Sequence, residues 1–454
     1  MPGNLSFDDL KARAAAGEID TVVVAAPDMQ GRLMGKRFVT DHFIASAHRE
    51  THCCNYLLAT DLEMETVPGY AAASWAQGYG DYALKPDMAT LRLIPWAPGS
   101  ALVLADFLDH DGELVRHAPR AVLKRQIERL AAMGFSMAAA TELEFFVFRE
   151  SFEALGDAGY RGMTPISRYN EDYNLFQTAK EEGLMRAIRN GLVGAGVPVE
   201  CTKGEADAGQ GEVNVRYSDA LDAADNHALV KQAVKEIAHA DGRAVTFMAK
   251  WRQGAAGSSS HVHQSLIDAA GAPAFHDPAD PIGMSDLMRH YLAGLLAHAG
   301  EVTFFLAPYV NSYKRFAKGL FAPTRAIWSV DNRTAGFRLV GEKSRSIRVE
   351  CRIGGSDLNP YLALAGQIAA GISGIEGAAA PPPAFDGDAY AAETEPEIPA
   401  TLRDAAAALD GSAMLRAAMG DDVIDHYVRA ARWEQEEFDR AVTDHEVARG
   451  FERA

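Results

Sequence analysis

Two carboxylates set into an apolar strand constrain this chain more than any other feature. From Ala138 to Phe148 it reads Ala-Ala-Ala-Thr-Glu-Leu-Glu-Phe-Phe-Val-Phe. Residues two apart on a strand share a face, so Glu142 and Glu144 point the same way. Two acids within so apolar a run are costly to leave unpaired. A divalent cation resolves that cost, because hard cations take oxygen ligands. A salt bridge or a solvated strand face would resolve it too.

Further groups along the chain bear on that choice. Glu205 and Glu212 bracket Ala-Asp-Ala-Gly-Gln-Gly, a turn able to bring two acids to one site or to stand as a charged surface loop. His261-Val-His263 places two imidazoles on one strand face, behind the small-residue loop Gly254 to Ser260, which permits close ligand approach. One histidine could ligate a metal and the other donate to a phosphate; two satisfied structural histidines are the alternative. Between Arg315 and Arg352 seven arginines and two lysines face three acids, while the chain as a whole carries −18. The planar guanidinium fork suits carboxylate and phosphate, so a basic strip in an acidic protein marks an anion site in preference to a solvated face. Glu350 shares a strand face with Arg348 and Arg352. Acids, histidines and arginines together are what metal-assisted phosphoryl transfer needs. The chain lacks a G-x-x-x-x-G-K-[ST] sequence and is not a P-loop enzyme.

Length sets the frame for these groups. At 454 residues the chain exceeds one core and is expected to hold two or three domains. Its acidity argues against nucleic acid or anionic membrane as partners. The four cysteines form no C-x-x-C pair, and the N-terminus lacks a basic start and apolar run, so the cytoplasm is expected. No uninterrupted apolar stretch is long enough for a membrane helix. Strands are expected at Asp20 to Ala26 and, briefly, at Leu102 to Ala105. Others are expected at 136–148, 211–217, 244–249, 261–266, 336–340 and 346–352. Helices are expected from Pro119 to Gly134, over Ala220 to Asp241, after Ser285 and after Asn359-Pro360. The fold class is α+β, with a small β-rich domain over residues 1–110 and a larger one over 111–454. An exposed Pro/Ala/acidic segment spans 376–399, followed by a C-terminal helical pair.

In order, Thr141-Glu-Leu-Glu-Phe-Phe146, Lys203 to Val213, Gly257 to Leu266, Asn311-Ser-Tyr-Lys-Arg315, Asp331-Asn-Arg-Thr334, Arg348-Val-Glu-Cys-Arg352 and Asn359-Pro-Tyr-Leu362 resemble the glutamine synthetase family of the bacterial type. The likeness runs over nearly the whole chain. It implies an N-terminal β-grasp domain and a catalytic domain with a curved antiparallel sheet flanked by helices. It also implies a homo-oligomer, a dodecamer of two hexameric rings with active sites between subunits. Glutamate, an amine and ATP would be the substrates, with two or more Mg²⁺ or Mn²⁺ per site. By motif, Glu144, Glu205 and Glu212 would hold one metal, and Glu142, His261 and Glu350 the second. Arg315 and Arg352 would grip glutamate, with Gly257 at its amino-acid end. Arg333 would stabilise the transferring phosphoryl group, and Arg315 is counted with it as catalytic. Glu200, Tyr217, His263, Ser265, Arg338 and Arg348 match nucleotide positions.

Three departures bear on the acceptor. The family's Asn in the glutamate loop is Ala256 here. Its flap glutamate aligns with Phe321, and its N-terminal Asp-Gly-Ser-Ser is replaced by Thr66-Val-Pro-Gly-Tyr-Ala. Both acids that favour ammonium are thus missing, as in the branch that γ-glutamylates organic amines. Desolvating a small cation against Phe321 is costly, which favours a small monoamine. Glu63, Glu65 or Asp81 of a neighbouring subunit would then help to deprotonate it. A true glutamine synthetase using ammonia and a non-catalytic scaffold with the same fold are the alternatives.

Overall fold

The computed structural model describes residues 3–454. Its first sheet is built from β1 (Thr21–Pro27), β2 (Leu33–Val39), β3 (Thr51–Cys54), β4 (Asp81–Pro86), β5 (Arg92–Leu93) and β6 (Ser100–Leu108). The order is β2-β1-β6-β4-β3, with β5 also on β6, and the β1–β6 pairing is parallel. The strand expected to be short at Leu102 to Ala105 is nine residues long, because Ser100–Leu108 is buried almost throughout as the centre of this sheet.

The second sheet has nine strands: β7 (Phe135–Phe148), β8 (Val199–Gly204), β9 (Gln210–Val215), β10 (Ser218–Asp219), β11 (Ala244–Thr246), β12 (Val262–Asp268), β13 (Trp328–Val330), β14 (Phe337–Val340) and β15 (Arg348–Cys351). They run β13-β14-β15-β12-β7-β9-β8, with β10 and β11 also on β7. Every pairing is antiparallel except β13–β14. The long strand carrying Glu142 and Glu144 is thus the spine of the sheet.

Helices pack on these sheets, and their ends follow from sequence. Pro119 opens the helix to Ala132, the Ser285 side chain accepts from Met288 N, and Asn359 caps the helix that begins at Pro360. The helix Pro360–Glu376 is almost wholly buried and crosses Asp286–Ala297 at glycines. A Cβ on Gly374 would lie 2.1 Å from His290 O, and one on Gly294 2.1 Å from Ala370 O. The C-terminal pair is instead four helices: Leu402–Asp410, Ala413–Met419, Asp421–Arg440 and Asp444–Gly450. Gly411 and Gly420 mark two of the breaks, and Ser412 and Thr443 cap new starts.

One buried cation ties the first sheet to the helix Ala220–Ala240. Arg120 is 2% exposed and reaches Asp87 at 2.8 Å, Asp106 at 2.9 Å and Asp225 at 3.0 Å. Tyr361 donates to the same Asp225 at 2.8 Å. Among the described residues no helix is long and apolar enough to cross a membrane.

Candidate active site

Strand register builds the site. On the spine, Glu144 lies directly opposite Glu212 of β9, and on the far side of β9 Glu212 is opposite Lys203 of β8. Like charges facing each other across an antiparallel pair are destabilising unless a cation intervenes. Glu205, at the end of β8, joins them: donor oxygens of Glu144, Glu205 and Glu212 lie within 4.8 Å of one another. Lys203 Nζ bonds to Glu205, Asn214 donates to Glu212 at 2.7 Å, and Gln210 donates to Glu144 at 3.1 Å. Burial, then Glu205, raises the Glu144 carboxyl to about 7; burial, then Glu142, Glu144 and Glu205, raises Glu212 to about 9. A set of acids that cannot all ionise alone fits a hard cation.

The second cluster lies on the other side of the spine. His263 of β12 is opposite Glu350 of β15, which is opposite Arg338 of β14. His261 Nδ1 lies 2.7 Å from Glu142 and 3.4 Å from Glu350; His263 Nε2 lies 3.0 Å from the other Glu142 oxygen. His261 and His263 both approach these carboxylates. Donor atoms of Glu142, His263 and Glu350 converge within 4.8 Å, yet His261 makes close approaches to both acids. The Nδ1 of His263 meanwhile accepts from Arg348 at 3.2 Å. Burial works against the Glu142 carboxylate, but hydrogen bonds with both histidines outweigh it and hold its pKa well below the usual range. Glu350 is likewise lowered against burial by His261 and Arg352.

A cleft of about 570 Å³ adjoins this cluster. Its walls include Glu200, Tyr217, His263, Ser265 and Arg348, with Tyr217 68% exposed. Arg338 is the nucleotide candidate that does not line it. It bonds instead to Asp331 and, at 3.0 Å, to Glu350.

The remaining predicted residues form a third group. Arg315 is buried, with Nη2 donating to the carbonyls of Arg352, Ile353 and Gly354 and Nε left without a partner. Burial lowers its guanidinium to about 10. A Cβ on Gly257 would meet Arg315 Cγ at 2.3 Å, so glycine is required for this approach. Arg352 bonds to Glu350, to Arg333 O at 3.1 Å and to Phe321 O at 3.5 Å. Arg333 is exposed, and Phe321 is 56% exposed at φ 54°. Glu63, Glu65 and Asp81 are exposed within the first-sheet region.

Four residues outside the set expected from sequence hold the carboxylates. Ser259, Gln210, Lys203 and Asn214 each bond to one. In the sequence Ser259 stands in the small-residue loop and the 257–266 motif, and Lys203 and Gln210 in the 203–213 motif, with no individual role assigned to them.

The sequence profile of the glutamine synthetase catalytic domain matches residues 116–449. The chain belongs to the glutamine synthetase family. Within this family it is 50% identical to a gamma-glutamylethanolamide synthetase of Streptomyces coelicolor, over 99% of this chain and 96% of that protein. It is 35% identical to a glutamate–isopropylamine ligase of a Pseudomonas species, over 95% of each. A solved ADP complex of GmaS superposes with a TM-score of 0.85 at 26% identity, covering 98% of this chain and 99% of that one. Family membership makes the chain a carbon–nitrogen ligase.

Proposed function

We propose that this protein is an ATP-dependent ligase joining the γ-carboxylate of glutamate to a small organic monoamine through γ-glutamyl phosphate. The observation that carries this reading is the meeting of two acidic clusters on one strand, with a nucleotide-sized cleft on one side and Arg315 and Arg352 nearby. Ethanolamide and isopropylamine in the names of two relatives support a short-chain amine, as does Phe321 in place of a flap acid.

In this reading Glu144, Glu205 and Glu212 hold one Mg²⁺ or Mn²⁺, and Glu142, His261 and Glu350 hold another. Such ions, when bound, neutralise phosphate oxygens. The protein's own side chains do the positioning. Tyr217 offers a stacking face for adenine, and Arg348 and His263 face the phosphates. The unpartnered Arg315 Nε and the Arg352 fork receive glutamate. Its γ-carboxylate attacks the γ-phosphate of ATP and ADP leaves; the amine then attacks the carbonyl carbon of γ-glutamyl phosphate, gives up a proton and displaces inorganic phosphate. Arg333, exposed beside Arg352, stabilises charge on the phosphoryl group.

The first sheet, within residues 1–110, is read as a β-grasp unit and 111–454 as the catalytic domain. Assembly into stacked hexameric rings is supported by apolar side chains left open to solvent, among them Trp75, Leu175, Val442 and Phe451. Mass photometry tests the assembly. Isotope transfer tests the reaction: with glutamate labelled with ¹⁸O in its γ-carboxylate, ATP and ethanolamine, the label should appear in inorganic phosphate as the amide forms. Amide without label in phosphate would exclude the acyl phosphate.

A further inference from the structure

Sequence alone places Tyr390 in an exposed excursion between two helical regions. The structure makes that excursion a strap across the active-site loops. At its start Trp328 Nε1 donates to Pro382 O at 2.7 Å, and Ser329 Oγ to Phe385 O at 2.6 Å. Next, Asn332 Nδ2 donates to Gly387 O at 2.7 Å, and Ala389 N to Thr334 Oγ1 at 3.0 Å, on either side of Arg333. Further on, Ala326 N donates to Pro396 O at 2.9 Å, Ile398 N to Thr324 O at 3.2 Å, and Arg325 pairs with Glu397 at 2.9 Å. Phe385, Ala389 and Ala392 pack with Ile327 and Ala335 in a small core of their own.

Between the second and third of these sets of bonds, Tyr390 Oη donates to Ala322 O at 3.1 Å. Ala322 follows Phe321, whose φ of 54° is unusual for a bulky side chain. Such a conformation persists only where the surroundings over-determine it. The Tyr390 bond to the next carbonyl does so here, with Arg352 Nη2 3.5 Å from Phe321 O, at the outer limit of hydrogen-bond range. The phenol also lies within electrostatic reach of Arg352 and Arg315, at the glutamate end of the site.

We propose that Tyr390 is a positioning residue for the amine-binding flap, fixing Phe321 over the carbonyl under attack through its hydroxyl bond to Ala322. This rests on the reading of Phe321 as part of the acceptor site. A flap so held shields the acyl phosphate from water until an amine occupies the site. Released, it would let water take the amine's place, returning glutamate and phosphate with ATP consumed.

Tyr390→Phe removes the hydroxyl and keeps the ring, so the variant should fold. Two measurements are needed. In ligand-free protein, amide hydrogen exchange over residues 318–324 should speed up in the variant, with exchange over 204–212 unchanged. In turnover, amide formed per ATP cleaved should fall, and the amine KM should rise about five-fold, the scale of one lost neutral hydrogen bond, with the ATP KM unchanged. A merely structural tyrosine would not split the two KM values. Unchanged exchange over 318–324, or wild-type coupling and amine KM, would overturn the proposal. If the wild type formed no amide with any amine, the acceptor reading would fail by itself, and the exchange measurement would still decide the flap contact.

Discussion

Ser259 grips both oxygens of Glu144: its backbone N–H donates at 2.7 Å and its hydroxyl at 2.6 Å. The loop from Gly254 to Ser260 therefore fixes the orientation of a proposed metal ligand as well as making room. Groups that orient ligands in this way contribute strongly to metal affinity. Ser259→Ala should weaken divalent-metal binding about ten-fold or more while leaving the melting temperature of the metal-free protein nearly unchanged. Calorimetric titration of metal into chelator-treated protein measures this.

Stability should depend on pH through the same cluster. Glu144 and Glu212 hold their protons more tightly folded than unfolded, with carboxyls raised from 4.5 to about 7 and about 9. Their contribution is complete below the unfolded value and is lost as pH rises through the two folded values. Glu142 and Glu350 are shifted the other way, so theirs is lost only in acid, below the unfolded value. Chelated protein should therefore melt progressively lower between about pH 5 and pH 9, and Glu212→Gln should flatten that slope. Added Mg²⁺ should stabilise the wild type more at the alkaline end, because binding needs the carboxylates ionised. A metal-free melting temperature that rises across this window in both proteins would count against the cluster.

Much of this site was legible because it lies on strands. The alternation of Glu142 and Glu144, or of His261 and His263, states which side chains share a face, and register alone then brings Glu212 opposite Glu144. What escaped has two physical causes. β2, Leu-Met-Gly-Lys-Arg-Phe-Val, is an edge strand with exposed Gly35, Lys36 and Arg37, so no buried alternation announces it. Tyr390 and Ser259 act through bonds to residues 68 and 115 positions away, a relation that no local pattern encodes.

Arg120 tests how the two halves are joined. It is enclosed by Asp87, Asp106 and Asp225, and its charge is held far above the ordinary guanidinium range against the cost of burial. Removing it strips the buried Asp225 of its guanidinium partner, while Asp106 keeps Lys124 at 2.6 Å, so Arg120→Ala should cost about 3–5 kcal/mol. Denaturant unfolding gives the value, and a loss within error of zero would mean that the node does not hold the halves together.

The acceptor proposed for this site is a small organic monoamine. The most direct test ranks kcat/KM for ammonia, methylamine, ethanolamine, isopropylamine and putrescine under saturating glutamate and ATP, in the wild type and in Phe321→Glu. A small monoamine should rank first in the wild type, with ammonia and putrescine well behind, and Phe321→Glu should shift the ranking towards ammonia as a carboxylate returns to the flap. A wild type that prefers ammonia or putrescine, or a ranking that Phe321→Glu leaves unchanged, would contradict it.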